Sequence, residues 1–152
     1  MNLFKFVILG IPLLIAGCLP QKQAVTITDA YSFATPKDFP AAAVFMTVRN
    51  TTEAGDRMIK FTADEVSGRT ELHTMKMSNN IMRMRRVNEF NIAPNGGTIT
   101  LKPMSDHVML FDLKKDMTAG ETFEGVAIFE DAGEIPVTVR IRDRDEMKNF
   151  MQ

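Results

Sequence analysis

From Val25 to Ile141 no stretch holds a helical period; short apolar or alternating runs recur instead, each cut off by turn-forming residues. Val25-Thr26-Ile27-Thr28 alternates apolar and polar, Ala41 to Val48 is mostly apolar, and Arg57 to Phe61 is a third extended run. Thr70 to Met77, Ile81 to Val87, Thr98 to Lys102, His107 to Leu113, Thr122 to Phe129 and Ile135 to Ile141 follow. In the last, Ile135, Val137, Val139 and Ile141 share one face of a strand. Asn50 to Gly55, Ser78-Asn79-Asn80, Pro94 to Gly97, Ala119-Gly120 and Asp131 to Gly133 supply the breaks. The spacing predicts an all-β domain over 25–142, a Greek-key sandwich or barrel of about eight or nine strands. The tail 143–152 is charged and contains methionine, compatible with a short helix or with disorder. Asn50-Thr51-Thr52 fits a glycosylation sequon, a match of little weight.

The first 17 residues stand apart. They carry Lys5, no acidic residue, and an apolar run from Phe6 to Ala16 that is short for a membrane span, which needs about 20 residues. The run ends in Ile15-Ala16-Gly17-Cys18. Small residues before the chain's one cysteine resemble a lipobox, so residues 1–17 read as a lipoprotein signal peptide and Cys18 as the lipidated first residue of the mature chain. Leu19, in place of Asp, resembles the pattern sent to an outer membrane. Residues 18–24 then form a short tether, which keeps the domain close to a bacterial membrane on its periplasmic or outer side. Loss of residues 1–17 takes Lys5 with it, leaving 17 basic against 19 acidic residues and a net charge of −2.

With 18 Lys plus Arg against 19 Asp plus Glu, the full chain has no electrostatic reason to bind nucleic acid. One cysteine cannot build a disulfide framework or a thiolate metal site within the chain. Methionine is plentiful, at 12 residues, and histidine occurs twice. Each histidine opens the same pattern, His73-Thr74-Met75 and His107-Val108-Met109, inside an expected strand. Residues i and i+2 of a strand share a face, so each pattern sets an imidazole beside a thioether. Met82 and Met84 form a third such pair. Six of the 12 methionines (Met75, Met77, Met82, Met84, Met104, Met109) fall within residues 75–109, a clustering that points to a site rather than to core packing.

Thioether sulfur is soft and neutral and imidazole is intermediate, a combination suited to Cu(I) and poorly suited to Mg²⁺, Ca²⁺ or Zn²⁺. In an oxidising compartment thioethers have the further advantage that they do not cross-link. The missing thiolate argues against a blue-copper electron-transfer centre. Copper carriage is the better fit.

These residues resemble the periplasmic copper chaperones called PCuAC. That pattern is a His, ten residues, a Met, about twenty-one residues, then His-x-Met. Here ten residues separate His73 from Met84, and 22 separate Met84 from His107-x-Met109. The extra residue is expected in the turn region Asn88 to Gly97. Glu71-Leu72-His73-x-Met75-x-Met77, Met82-Arg83-Met84-Arg85, Gly96-Gly97 and Leu101-Lys102-Pro103 also look like the family, and the likeness of layout covers most of 25–141. The resemblance implies a cupredoxin-like fold and one Cu(I) held by His73, Met84, His107 and Met109. It further implies delivery of copper towards cytochrome c oxidase assembly, often alongside Sco-type proteins. Met75 and Met77 share the His73 face and are auxiliary candidates, as substitutes for Met84, transfer ligands or shields. Met104, Met46, Met58 and Met117 are expected in packing or on the surface. Arg83, Arg85 and Arg86 fit a solvated strand face, with docking of an acidic partner as the alternative.

Two other functions compete with a chaperone: a copper-sequestering or tolerance lipoprotein with the same ligands, and a metal-free structural lipoprotein. An enzyme is not expected, because the chain lacks a Ser-His-Asp order, an HExxH motif and a phosphate-cradling glycine loop.

Overall fold

The computed structural model describes residues 24–78 and 81–150. Residues 1–23, with the expected signal peptide and Cys18, lie outside the described residues, as do 79–80 and 151–152. Ten strands form among the described residues. They are β1 (Val25–Phe33), β2 (Ala41–Asn50), β3 (Asp56–Thr62), β4 (Ser67–Ser78), β5 (Ile81–Val87), β6 (Phe90–Ile92), β7 (Thr98–Leu101), β8 (His107–Leu113), β9 (Thr122–Phe129) and β10 (Gly133–Arg142). A 3-10 helix (Arg144–Phe150) follows in the charged tail. Nine strands fall on the apolar or alternating runs of the sequence. The tenth, β6, has three residues, too few to display a period, and exists by pairing with β3 through Asp56↔Ile92 and Met58↔Phe90.

The strands share one hydrogen-bonded path, β5-β4-β8-β2-β1-β10-β9-β3-β6, with β7 joined to β2. Pairing is antiparallel throughout except between β1 and β10. The path is open, yet its two ends are neighbours in sequence: Val87 closes β5 and Phe90 opens β6. Asn88 and Glu89 alone bridge them, which limits the separation to about 11 Å. The sheet therefore curls over a common interior, and every strand but β5 sends buried residues into one core. Ile135, Val137, Val139 and Ile141 all enter it, as do Met46, Met58 and Met117. Asn50 of the sequon is fully buried. Its amide donates to Ala54 O at 2.7 Å, and its carbonyl accepts from the Thr52 N–H at 2.9 Å.

A bulge in β1 gives the sheet a second working face. Opposite β2 the register runs Thr28↔Thr47 and then Tyr31↔Phe45, so Asp29 and Ala30 together face one partner residue. Asp29 takes a left-handed φ of 50° at this insertion. Before the bulge Val25 and Ile27 point to the core; after it Ala30 does, while Tyr31 and Phe33 turn outward. There they pack with Phe45 in a cluster separate from the main core, with ring centroids 5.2–5.9 Å apart.

Buried Asp56 ties β3 to the β9–β10 turn. Its Oδ1 accepts the N–H of Arg57 at 2.7 Å and of Asp131 at 3.0 Å, and its Oδ2 that of Ala132 at 3.0 Å. Asp56→Ala removes the acceptor for all three, and should lower the urea-unfolding free energy by about 2–4 kcal/mol. A loss under about 0.5 kcal/mol would show that water replaces the carboxylate there.

Candidate metal centre

On β4, Leu72 and Thr74 are buried, so Glu71, His73, Met75 and Met77 occupy the outer face. On β8, Val108 and Leu110 fill the core, which turns His107, Met109 and Phe111 outward. The register joins these faces: His73 lies opposite His107, and Glu71 opposite Met109. On the other side of β4, Met84 of β5 lies opposite Met75, and Met82 opposite Met77. The pairing of β4 with β8 stops at His73↔His107. Beyond it, among the described residues, β4 has β5 as its sole strand partner, so the outer part of this pair projects as a two-stranded ribbon.

The imidazoles sit in a row of rings, with centroid separations of 6.3 Å from Phe45 to His107, 6.0 Å from His107 to His73 and 6.2 Å from His73 to Phe111. Their hydrogen bonds set opposite tautomers. His73 Nε2 donates to Glu71 Oε2 at 2.8 Å, and Nδ1 is buried with no hydrogen-bond partner. Glu71 is suited to accept. The His73 bond, opposed by partial desolvation and helped by Arg69 and Arg86, holds its carboxyl below the usual range. His107 Nδ1 lies 2.8 Å from the Ser105 carbonyl, which can only accept, so the lone pair is on Nε2. Burial pushes the His107 pKa down; the Ser105 bond and Asp106 oppose this, and His73 adds to it. Each ring thus keeps one unshared nitrogen.

An apolar cavity of about 200 Å³ opens beside them. Met75, Met84, Met104, Met109 and Met147 line it with His107, over Ala43, Phe45 and Pro103. Of the four expected ligands, Met84, His107 and Met109 face the cavity, while His73 stands next to His107 outside the lining. Met75 is as well placed as Met84. Met77 is not at the cavity but at the outer end of the ribbon, 66% exposed. Arg83 and Arg85 lie opposite Lys76 and Thr74, on the ribbon face away from these methionines, whereas Arg86 lies opposite His73.

Two lining methionines escaped the sequence patterns. Met104, expected as packing or surface, is 51% exposed, but its left-handed φ of 63° in the Lys102–Asp106 turn leaves it at the cavity wall. Met147 comes from the tail helix and packs on the cluster of Tyr31, Phe33 and Phe45. Membership of the methionine-dense segment was the one signal for Met104; nothing local marks Met147. Among the described residues no three His, Cys, Asp or Glu side chains converge, so the donor set on offer is soft.

Residues 25–141 match the family model "Putative lipoprotein LpqE-like". The chain belongs to the LpqE-like family. This LpqE-like chain is 26% identical to "Putative lipoprotein Lxx21020" of Leifsonia xyli subsp. xyli (strain CTCB07) over 124 residues, 82% of this chain and 74% of that one. It is also 26% identical to "Uncharacterized protein RP573" of Rickettsia prowazekii (strain Madrid E) over 100 residues, 66% of this chain but only 55% of the Rickettsia protein. Among solved structures, the copper-bound PCuAC domain from PmoF2 superposes with TM-score 0.65 at 22% identity, covering 79% of this chain and 93% of that domain. Apo-DR1885 from Deinococcus radiodurans superposes with TM-score 0.60 at 25% identity, covering 95% and 99%. The LpqE-like chain thus has the fold of the PCuAC domains, the all-β architecture expected of it.

Nitrogen-15 NMR of the histidine rings checks the hydrogen-bond assignment. The neutral protein should show His73 protonated on Nε2 and His107 on Nδ1; the same tautomer at both rings would contradict it.

Proposed function

We propose that this protein is an exported Cu(I) carrier, anchored to a bacterial membrane through lipidated Cys18, that moves copper towards cytochrome c oxidase assembly. The observation that carries the reading is the outer sheet face, where His107 lines an apolar cavity with Met84 and Met109 and His73 stands beside it, each imidazole with one free nitrogen. His73, Met84, His107 and Met109 would supply four neutral donors, leaving the complex with the single charge of Cu(I). Met75 stands ready to replace Met84 during exchange.

Release to an acceptor is a ligand exchange, in which one copper bond forms as another breaks and the metal stays Cu(I). Met84 is 47% exposed, which lets an acceptor's donor atoms approach copper from solvent and favours a carrier over a closed store. The copper-bound state of PCuAC domains such as that from PmoF2 supports the choice of metal, and the lipoprotein names in the family support the anchor. A Sco-type protein or an oxidase subunit is the acceptor that the PCuAC resemblance implies. Electron transfer and catalysis have no place in this scheme.

The deciding experiment is an anaerobic Cu(I) titration with X-ray absorption at the copper edge. Wild type should bind one equivalent through mixed nitrogen and sulfur ligands, and His73→Ala/His107→Ala should lose it. Absence of stoichiometric binding by wild type would leave a structural lipoprotein.

Affinity should also respond to pH in a defined direction. His107 is held below its ordinary value, so it is neutral at pH 7 and a proton competes for Nε2 only below about 6.5. Cu(I) affinity should therefore hold from pH 7.5 to about 6.5 and then decline. Stability of the copper-free protein has the same sign, because the unfolded chain takes up that proton first. Constant affinity down to pH 5 would exclude histidine ligation.

A further inference from the structure

The methionines of this chain divide into two populations. Met46, Met58 and Met117 are at most 2% exposed and pack in the core. Those of the β4–β5 ribbon have no core to fill, since beyond His73 the two strands pair only with each other among the described residues. Met77 is 66% exposed, Met84 47%, and neighbouring Ile81 54%. An unbranched thioether on a solvated strand contributes little to stability; Thr or Val would suit the position better.

Their arrangement is regular. Met75↔Met84 and Met77↔Met82 are directly opposed pairs on one face of the ribbon, two residues apart. Opposed side chains start about 5 Å apart at Cβ, so two flexible thioethers can meet at one soft ion. Successive pairs are about 7 Å apart along the strand. The inner pair lines the cavity; the outer pair does not. Between Thr74 and Arg85 the sequence has no Asp, Glu, His or Cys, so sulfur is the sole side-chain donor there that a soft monovalent ion would prefer. The other face carries Lys76 opposite Arg83, a like-charged pair that disfavours lasting residence of a cation.

We propose that Met77 and Met82 form a second, weaker Cu(I) station at the outer end of the ribbon, from which copper passes through Met75 and Met84 to the cavity. The inference rests on the Cu(I) reading of the inner site and adds the route. Each step forms one Cu–S bond as another breaks; copper stays Cu(I), no electron moves, and the neutral thioethers release no proton. Affinity rises inward, because two sulfurs beside cations hold copper less well than a set that includes two imidazoles.

The test uses the full chain in detergent with carbon-13 methyl-labelled methionine. Ag(I) serves as the diamagnetic probe, and Cu(I) delivered from its bicinchoninate complex gives the rate. The first equivalent of Ag(I) should move the methyls of Met84 and Met109, and the second those of Met77 and Met82. Met77→Leu/Met82→Leu should keep one equivalent of Cu(I) at unchanged affinity, yet load roughly tenfold more slowly once the local store of copper is gone. If the Met84 and Met109 methyls move while those of Met77 and Met82 stay fixed through two equivalents, and loading is equally fast in the variant, the outer station is overturned and the inner site stands. If no methyl moves in wild type, the Cu(I) reading itself fails and takes the station with it.

Discussion

The antiparallel register of β4 on β8 is the constraint on which the rest depends. His73 faces His107 on the outside only because Leu72, Val108 and Leu110 face the core on the inside. Side chains alternate with a period of two, so a slip of one residue in β4 would bring His73 into the interior and expose Leu72, and one in β8 would do the same to His107 and Val108. Each such exchange would forfeit roughly 1.5–3 kcal/mol of apolar burial and add the cost of an unpaired polar ring. The ordinary hydrophobic energy of the domain thereby keeps the donor atoms together, with no metal needed to assemble them.

That arrangement also explains how the imidazoles are oriented. The ring row from Phe45 to Phe111 encloses both imidazoles, and burial of His107 disfavours its charged form. Glu71 and the Ser105 carbonyl then each fix one nitrogen as a donor, which leaves the other free. The His73 bond, with Arg69 and Arg86 adding to it, holds the Glu71 carboxyl below the usual range, so Glu71 stays an acceptor and fixes which His73 nitrogen is available.

Much of this was legible in the sequence because it depends on short-range periodicity. Short apolar or alternating runs between turn residues locate nine strands, and the repeated His-x-Met spacing places imidazole and thioether on common faces. What escaped depends on contacts distant in the chain. Phe90–Ile92 is a strand only because β3 is beside it, and three residues cannot carry a pattern. Met147 reaches the cavity because it rests on aromatics more than a hundred positions earlier. Asp29 looks like one more polar residue in an alternating run, since nothing nearby announces that two residues there will oppose one on β2.

That inserted residue makes the length of β1 as consequential as its composition. The segment before Asp29 belongs to the interior, and Tyr31 and Phe33 after it support the opposite side of the sheet, where their cluster packs against Met147. Losing a single residue at this point would not shorten a loop; it would exchange the inside and outside of half a strand. Over evolutionary time, substitutions along β1 can accumulate gradually, whereas a one-codon deletion there would have to be matched at once by compensating changes in both layers.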